Sequence, residues 1–131
     1  MLRAALTASL IVLLSNTAYA GWGTVAICPD GCGFWSACAN YSTAEAAERV
    51  IKRHFEKNGH KCRFLETTDK KFIVVVFAEG KKGIGWEAGN DQNDALDKAM
   101  GHYRRRFGSL PHLIHIYNNE KGGEVVQGVI N

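Results

Sequence analysis

The sequence predicts an α+β fold: two hairpin–helix–strand repeats sharing one largely antiparallel sheet, with two helices on one face. Three observations predict it. The 131 residues are 46% hydrophobic and 22% charged, which suits one ordinary globular domain and excludes a collagen, a coiled coil or a disordered polyelectrolyte. Sliding the chain by 49 residues lays Val25-Ala26-Ile27 on Val74-Val75-Val76, Ala46 on Ala95, Val50 on Ala99, His54 on Tyr103 and Gly59 on Gly108. Trp35-Ser36-Ala37 then meets Trp86-Glu87-Ala88 after a small insertion. Finally, each copy carries one apolar helical stripe that needs cover. Two copies are too few for a repeat array, so a shared sheet is the natural partner for both helices.

The repeat does not begin at residue 1. Met1-Leu2-Arg3 is a short positive start, Ala4 to Leu14 is an apolar run too short to span a bilayer, and Ser15 to Ala20 ends in Ala18-Tyr19-Ala20. Small residues at those places suit signal peptidase. Residues 1–20 therefore read as a signal peptide and 21–131 as a single exported domain, periplasmic or extracellular. No later stretch is long and apolar enough to span a membrane. The formal charge of +3 includes Arg3, the only charge before Asp30. So mild a balance does not argue for a specific nucleic-acid partner.

Repeat 1 covers about 24–72. Trp22 to Cys28 and Gly33 to Ala39 are β-rich runs around the turn Pro29-Asp30-Gly31. Ser42-Thr43-Ala44-Glu45 has the form of a capping box with Ser42 as the cap. The helix that follows runs to about Asn58, carries its apolar stripe on Ala47, Val50, Ile51, His54 and Phe55, and stops at Gly59. Lys61 to Thr67 returns as a strand. Repeat 2 covers about 73–117. Phe72 to Ala78 is a central strand, Lys81 to Gly89 its hairpin partner, and Asp91 the cap of a helix striped by Leu96, Ala99, Met100, Tyr103 and Phe107. Leu110 to Tyr117 closes the repeat. An extra strand is expected within 124–130.

Export gives the four cysteines a meaning. Cys28, Cys32, Cys38 and Cys62 are an even number, and in an oxidising compartment that points to disulfides. Three connectivities are open. The tight turn between Cys28 and Cys32 favours that pair, with Cys38–Cys62 as the other. The spacing C-x3-C-x5-C-x23-C lacks the paired C-x2-C knuckles of structural zinc, so no metal or other cofactor is read from it.

The residues Trp22-Gly23-Thr24-Val25-Ala26, Ala44-Glu45-Ala46-Ala47, Cys62, Gly83-Ile84-Gly85-Trp86 and Ala95-Leu96 with Ala99 resemble a family of small exported bacterial proteins catalogued as domain of unknown function 4189. The likeness spans about Trp22 to Tyr117. It implies secretion and a duplicated fold. It implies no reaction, since the family has no established active site to transfer.

No catalytic motif stands out. His112 and His115 form H-x-x-H on a strand, where residues three apart face opposite ways. Gly80-Lys81-Lys82-Gly83-Ile84-Gly85 leads into a strand, whereas a phosphate-binding loop leads into a helix. His60 reads as solvated. Arg104, Arg105 and Arg106 fan around a helix end whose dipole they complement. If that end converged with the Lys52, Arg53, Lys57 and Lys61 of the first helix, an anionic surface or polysaccharide would suit it. Trp35 and Trp86 lie on hairpins, where aromatic residues pack across strands or offer a platform. The function expected is that of an exported, non-enzymatic protein-binding module, with Arg104, Arg105, Arg106, Trp35 and Trp86 as binding residues and a protein partner. An inhibitor or immunity protein and a secreted effector are both versions of it. The alternative is a small secreted hydrolase with His112 or His115 as base, helped by Glu66 or Glu87.

Overall fold

β1 (Trp22–Ile27) and β2 (Trp35–Tyr41) form the first hairpin. Gly31 closes its turn in the left-handed region (φ 74°), and Cys28 N–H donates to Phe34 C=O at 2.9 Å. Helix α1 (Ala44–Lys57) follows, then β3 (Arg63–Thr68). The second half repeats that order with β4 (Phe72–Phe77), β5 (Gly85–Gly89), α2 (Gln92–Phe107) and β6 (Leu113–Asn118). These elements come from a computed structural model that describes residues 21–120 and the strand β7 (Val125–Gln127). The expected leader, residues 1–20, lies outside the described residues, as does most of the expected terminal strand beyond 125–127.

The α+β class, the two units and the antiparallel pairing are as the sequence predicts. The arrangement of layers differs. Each unit makes its own sheet: β3-β1-β2-β7 in the first and β5-β4-β6 in the second. In both, the hairpin's first strand is central and the strand after the helix pairs with it. The sheets pack face to face through Val25, Trp35, Ala37 and Ala39 on one side and Ile73, Val75, Phe77 and Tyr117 on the other. Helix α1 covers the outer face of the first sheet through Ala47, Ile51 and Phe55. Helix α2 covers the outer face of the second through Ala95, Ala99 and Tyr103. The helices thus lie on opposite outer faces of a four-layer stack instead of sharing one face. The physical reason lies in the central strands. Val74 and Val76 face α2 while Ile73 and Val75 face the other sheet, and a strand apolar on both faces needs cover on both.

The register of the repeat also differs from the 49-residue offset. The caps Thr43 and Asp91, the buried helix residues Ala47 and Ala95, Ile51 and Ala99, Phe55 and Tyr103 all correspond at an offset of 48. In the strands an offset of 49 would lay Val25, which faces the other sheet, on Val74, which faces α2; runs apolar on both faces read alike in either register, where one residue of shift reverses the face. The shift also moves the first cap. Thr43, not Ser42, accepts the Ala46 N–H at 3.0 Å, and the helix ends at Asn58 just before Gly59 (φ 76°).

Asn119 ties the two sheets together. Its side chain is 1% exposed. It accepts from Asn40 N–H at 3.0 Å and donates to Lys70 C=O at 2.7 Å. Its backbone accepts from Gly21 N–H and donates to Lys71 C=O.

Candidate functional site

The β4–β5 connection comes close to the end of α2. Gly83 has φ 108°, and a Cβ on it would sit 2.4 Å from Phe107 Cζ, so only glycine permits the contact. This brings Lys82 and Trp86 beside Arg106, whose guanidinium also lies over the Phe107 ring, 5.2 Å from its centre. The β1–β2 hairpin and Arg63 of β3 close the other side. The result is a cleft of about 140 Å³, lined among others by Phe34, Trp35, Arg63, Lys82, Trp86 and Arg106. Three cations contributed by three separate segments converge there, and among the described residues none that lines it is acidic. Three positive side chains on one small cleft make an anionic group the complementary occupant, although Glu87 lines the adjoining hollow with Trp86 and Arg106. Trp35, otherwise 2% exposed, reaches the lining, and its indole N–H has no hydrogen-bond partner among the described residues.

The other residues singled out in the sequence are placed as follows. Arg104 and Arg105 are exposed like Arg106 but do not line the cleft. Arg105 turns to His102 Nδ1 at 2.7 Å. The basic end of α1 does not join them: Lys52 and Lys61 line a separate hollow with Phe55, His60 and Cys62. Trp35 is first a core residue, 5.2 Å from Phe77 between ring centres. Trp86 is more accessible than Trp35.

Histidines 112 and 115 are not brought to a carboxylate. Val75 pairs with His115 and faces the sheet interface, while its neighbour Val74 pairs with Glu87 and faces α2. His115 and Glu87 are therefore on opposite faces of one sheet. Glu87 meets His102 Nε2 at 3.6 Å, and His115 packs among Trp35, Phe77 and Tyr117. Burial pushes the Tyr117 phenol well above its ordinary value. His112 is exposed, with its backbone N–H on Phe77 C=O. Among the described residues neither histidine bonds an acidic side chain. A serine–histidine contact does exist: Ser36 Oγ lies 2.7 Å from His54 Nδ1. Ser36 is wholly buried, which shields it from any substrate. Burial, with Lys57 nearby, lowers the His54 pKa below its usual 6.5.

The cysteines divide. Cys28 and Cys32 are disulfide-bonded across the hairpin turn, with 5.8 Å between their Cα atoms. The expected Cys38–Cys62 bond is not formed. Cys38 lies on β2 and Cys62 just before β3, and β1 runs between those strands. Two inter-strand spacings come to about 9.6 Å, beyond the Cα separation of about 7 Å that a disulfide can bridge. Cys38 Sγ instead donates to Ala47 C=O at 3.5 Å, and burial raises the Cys62 pKa.

His60, read as solvated, is the residue whose placement the sequence did not suggest. Its ring stacks on Phe34 with 5.0 Å between centres, and its Nδ1 lies 3.6 Å from Cys32 Sγ. The length of α1 decides that meeting, and no local motif announces it.

No curated protein and no solved structure matches the chain. The sequence profile of one family, described as Domain of unknown function (DUF4189), matches residues 22–109. That match takes in both hairpins, both helices and every cleft residue named above, so the chain belongs to the DUF4189 family.

Proposed function

We propose that this chain is an exported, non-enzymatic binding module, and that it grips an acidic segment of a protein partner in the cleft between its two units. The observation that carries the proposal is the convergence of Arg63, Lys82 and Arg106 around Trp86, with no acidic residue among the described residues of the lining. Arginine and tryptophan are the side chains that most often anchor protein interfaces. Arg106 offers a planar fork suited to a carboxylate, and Trp86 offers apolar area beside it. Catalysis would require a nucleophile or base in reach of an orienting partner; among the described residues the lining holds no histidine, serine or acid, and its Cys28 is tied up in the disulfide with Cys32. An inhibitor or immunity protein and a secreted effector would both use such a cleft.

The test is titration of the full chain with a fluorescein-labelled glutamate-rich peptide, followed by anisotropy. The wild type is expected to bind it, and Arg106→Glu and Lys82→Glu should each weaken binding about tenfold or more, a loss of at least about 1.4 kcal/mol. A neutral peptide of the same length should not bind. Equal affinity of wild type and both variants would contradict the proposal. Binding of sulfated polysaccharide but not of the peptide would replace the protein partner with a glycan.

A further inference from the structure

We propose that Cys28, Cys32 and His60 form a zinc site when the Cys28–Cys32 bond is reduced. The two sulfurs and an imidazole nitrogen of these residues lie within 4.8 Å of one another, with Cys28 buried and the other two half-buried. Two features of the fold create the cluster. The β1–β2 turn folds Cys32 back beside Cys28. Helix α1 then ends so that Gly59, in the left-handed region, turns His60 toward the hairpin tip, and His60 N–H bonds Phe55 C=O at 2.9 Å. Phe34 stacks on the imidazole and fixes its plane.

One of the three ligand pairs already has the spacing a tetrahedral ion imposes. Zinc with bonds of about 2.3 Å to sulfur and about 2.0 Å to nitrogen holds the two ligand atoms about 3.5 Å apart. Cys32 Sγ and His60 Nδ1 are already 3.6 Å apart. The change the site requires is separation of the two sulfurs. Reduction supplies it: two electrons and two protons convert the disulfide to two thiols, and a phosphine reductant is oxidised to its oxide by taking up water oxygen. Zinc then displaces both thiol protons and takes the imidazole lone pair. Three protein ligands leave the fourth corner for water, as in open zinc sites. Asp30 stands at the rim, with its Oδ1 2.7 Å from Cys28 Sγ and accepting from Cys32 N–H at 3.3 Å. Its negative charge favours a cation there. The bond that must open closes a loop with a sequence separation of only 4. Loops this short constrain the unfolded chain least, so opening this bond leaves the three cores to hold the fold.

The experiment uses the full chain, air-oxidised or reduced with a phosphine, titrated with zinc against a chromophoric chelator and with Co²⁺ as a spectroscopic probe. The reduced chain should take one zinc per chain and give sulfur-to-cobalt charge-transfer absorption. The oxidised chain should do neither. His60→Ala should lose affinity at least tenfold while Cys62→Ser keeps it, with circular dichroism confirming that both variants fold. The proposal is overturned if the reduced chain takes up no stoichiometric zinc, if the oxidised chain binds it as well, or if folded His60→Ala binds like the wild type.

Discussion

Phe55 of α1 and Tyr103 of α2 occupy the same station in the two units: each is the last buried residue of its helix stripe, and each closes the outer core of its own sheet. Their chemistry differs in one atom that matters. The Tyr103 hydroxyl is buried with no hydrogen-bond partner among the described residues. Phe55→Ala should destabilise the fold by about 3–5 kcal/mol through loss of packing and the cavity it leaves. Tyr103→Phe should leave stability unchanged or raise it by up to about 1 kcal/mol, because it removes an unsatisfied polar group and keeps the ring. Urea unfolding midpoints of the two variants test both.

Gly85 and Gly59 make a second contrast. A Cβ on Gly85 would stand 2.6 Å from Ala99 C=O and 2.8 Å from Tyr103 Cβ, so α2 would have to lift off the sheet. A Cβ on Gly59 would meet nothing within 4 Å, but its backbone is left-handed at φ 76°. Gly59→Ala should therefore cost only the local strain of about 1–2 kcal/mol. Gly85→Ala should cost about 2 kcal/mol or more, in the range of overpacked cores. Thermal unfolding of both proteins should rank them in that order.

Asn119 predicts a sharper effect than its type suggests. Its amide nitrogen donates to Lys70 C=O and its oxygen accepts from Asn40 N–H. Asn119→Asp keeps the shape but turns a donor toward carbonyls into an acceptor. It should destabilise by at least about 2–3 kcal/mol at neutral pH, the desolvation penalty of an unmatched buried group. Asn119→Ala should cost about as much. A loss below half a kcal/mol for both would deny Asn119 its role between the sheets.

Much of this architecture was legible in residues. Helical stripes placed α1 and α2, Gly31 and Gly108 marked turns that adopt left-handed backbone, and Pro29-Asp30-Gly31 announced the first hairpin with its disulfide. Number of sheets was not legible. Val74-Val75-Val76 reads the same whether its second face meets a helix or another sheet, and only the partner decides. The same ambiguity hid the true offset of the repeat. Of the cleft, Arg106 and Trp86 were visible as candidates, but Arg63 and Lys82 were not. Lys82 reaches it through the close contact of Gly83 with Phe107, and Arg63 through the pairing of β3 with β1; neither has a sequence signature. His60 met Cys32 for a similar reason, through the length of α1.

His54 gives the fold a pH dependence. Its pKa in the folded protein is lowered, by burial and by Lys57, from an unfolded value of 6.5. The unfolded chain therefore binds a proton more readily than the folded one. This contribution is fully present above 6.5 and is lost as pH falls toward the folded value. His54→Gln should flatten the dependence of the urea midpoint between pH 7.5 and pH 5. Identical slopes for wild type and His54→Gln would contradict the assignment.

If the cleft between the units is the binding surface proposed above, an acidic peptide must perturb its lining first. The competing surface is the outer face of β6, where α2 packs over β4 and β5 and leaves Ile114 46% and Ile116 39% exposed. Amide chemical-shift mapping of the full chain titrated with the glutamate-rich peptide separates the two. The largest shifts should fall on Gly31 to Phe34, Arg63, Lys82 to Trp86 and Arg106. Shifts confined to Leu113 to Asn118, with the cleft residues unmoved, would contradict the proposal.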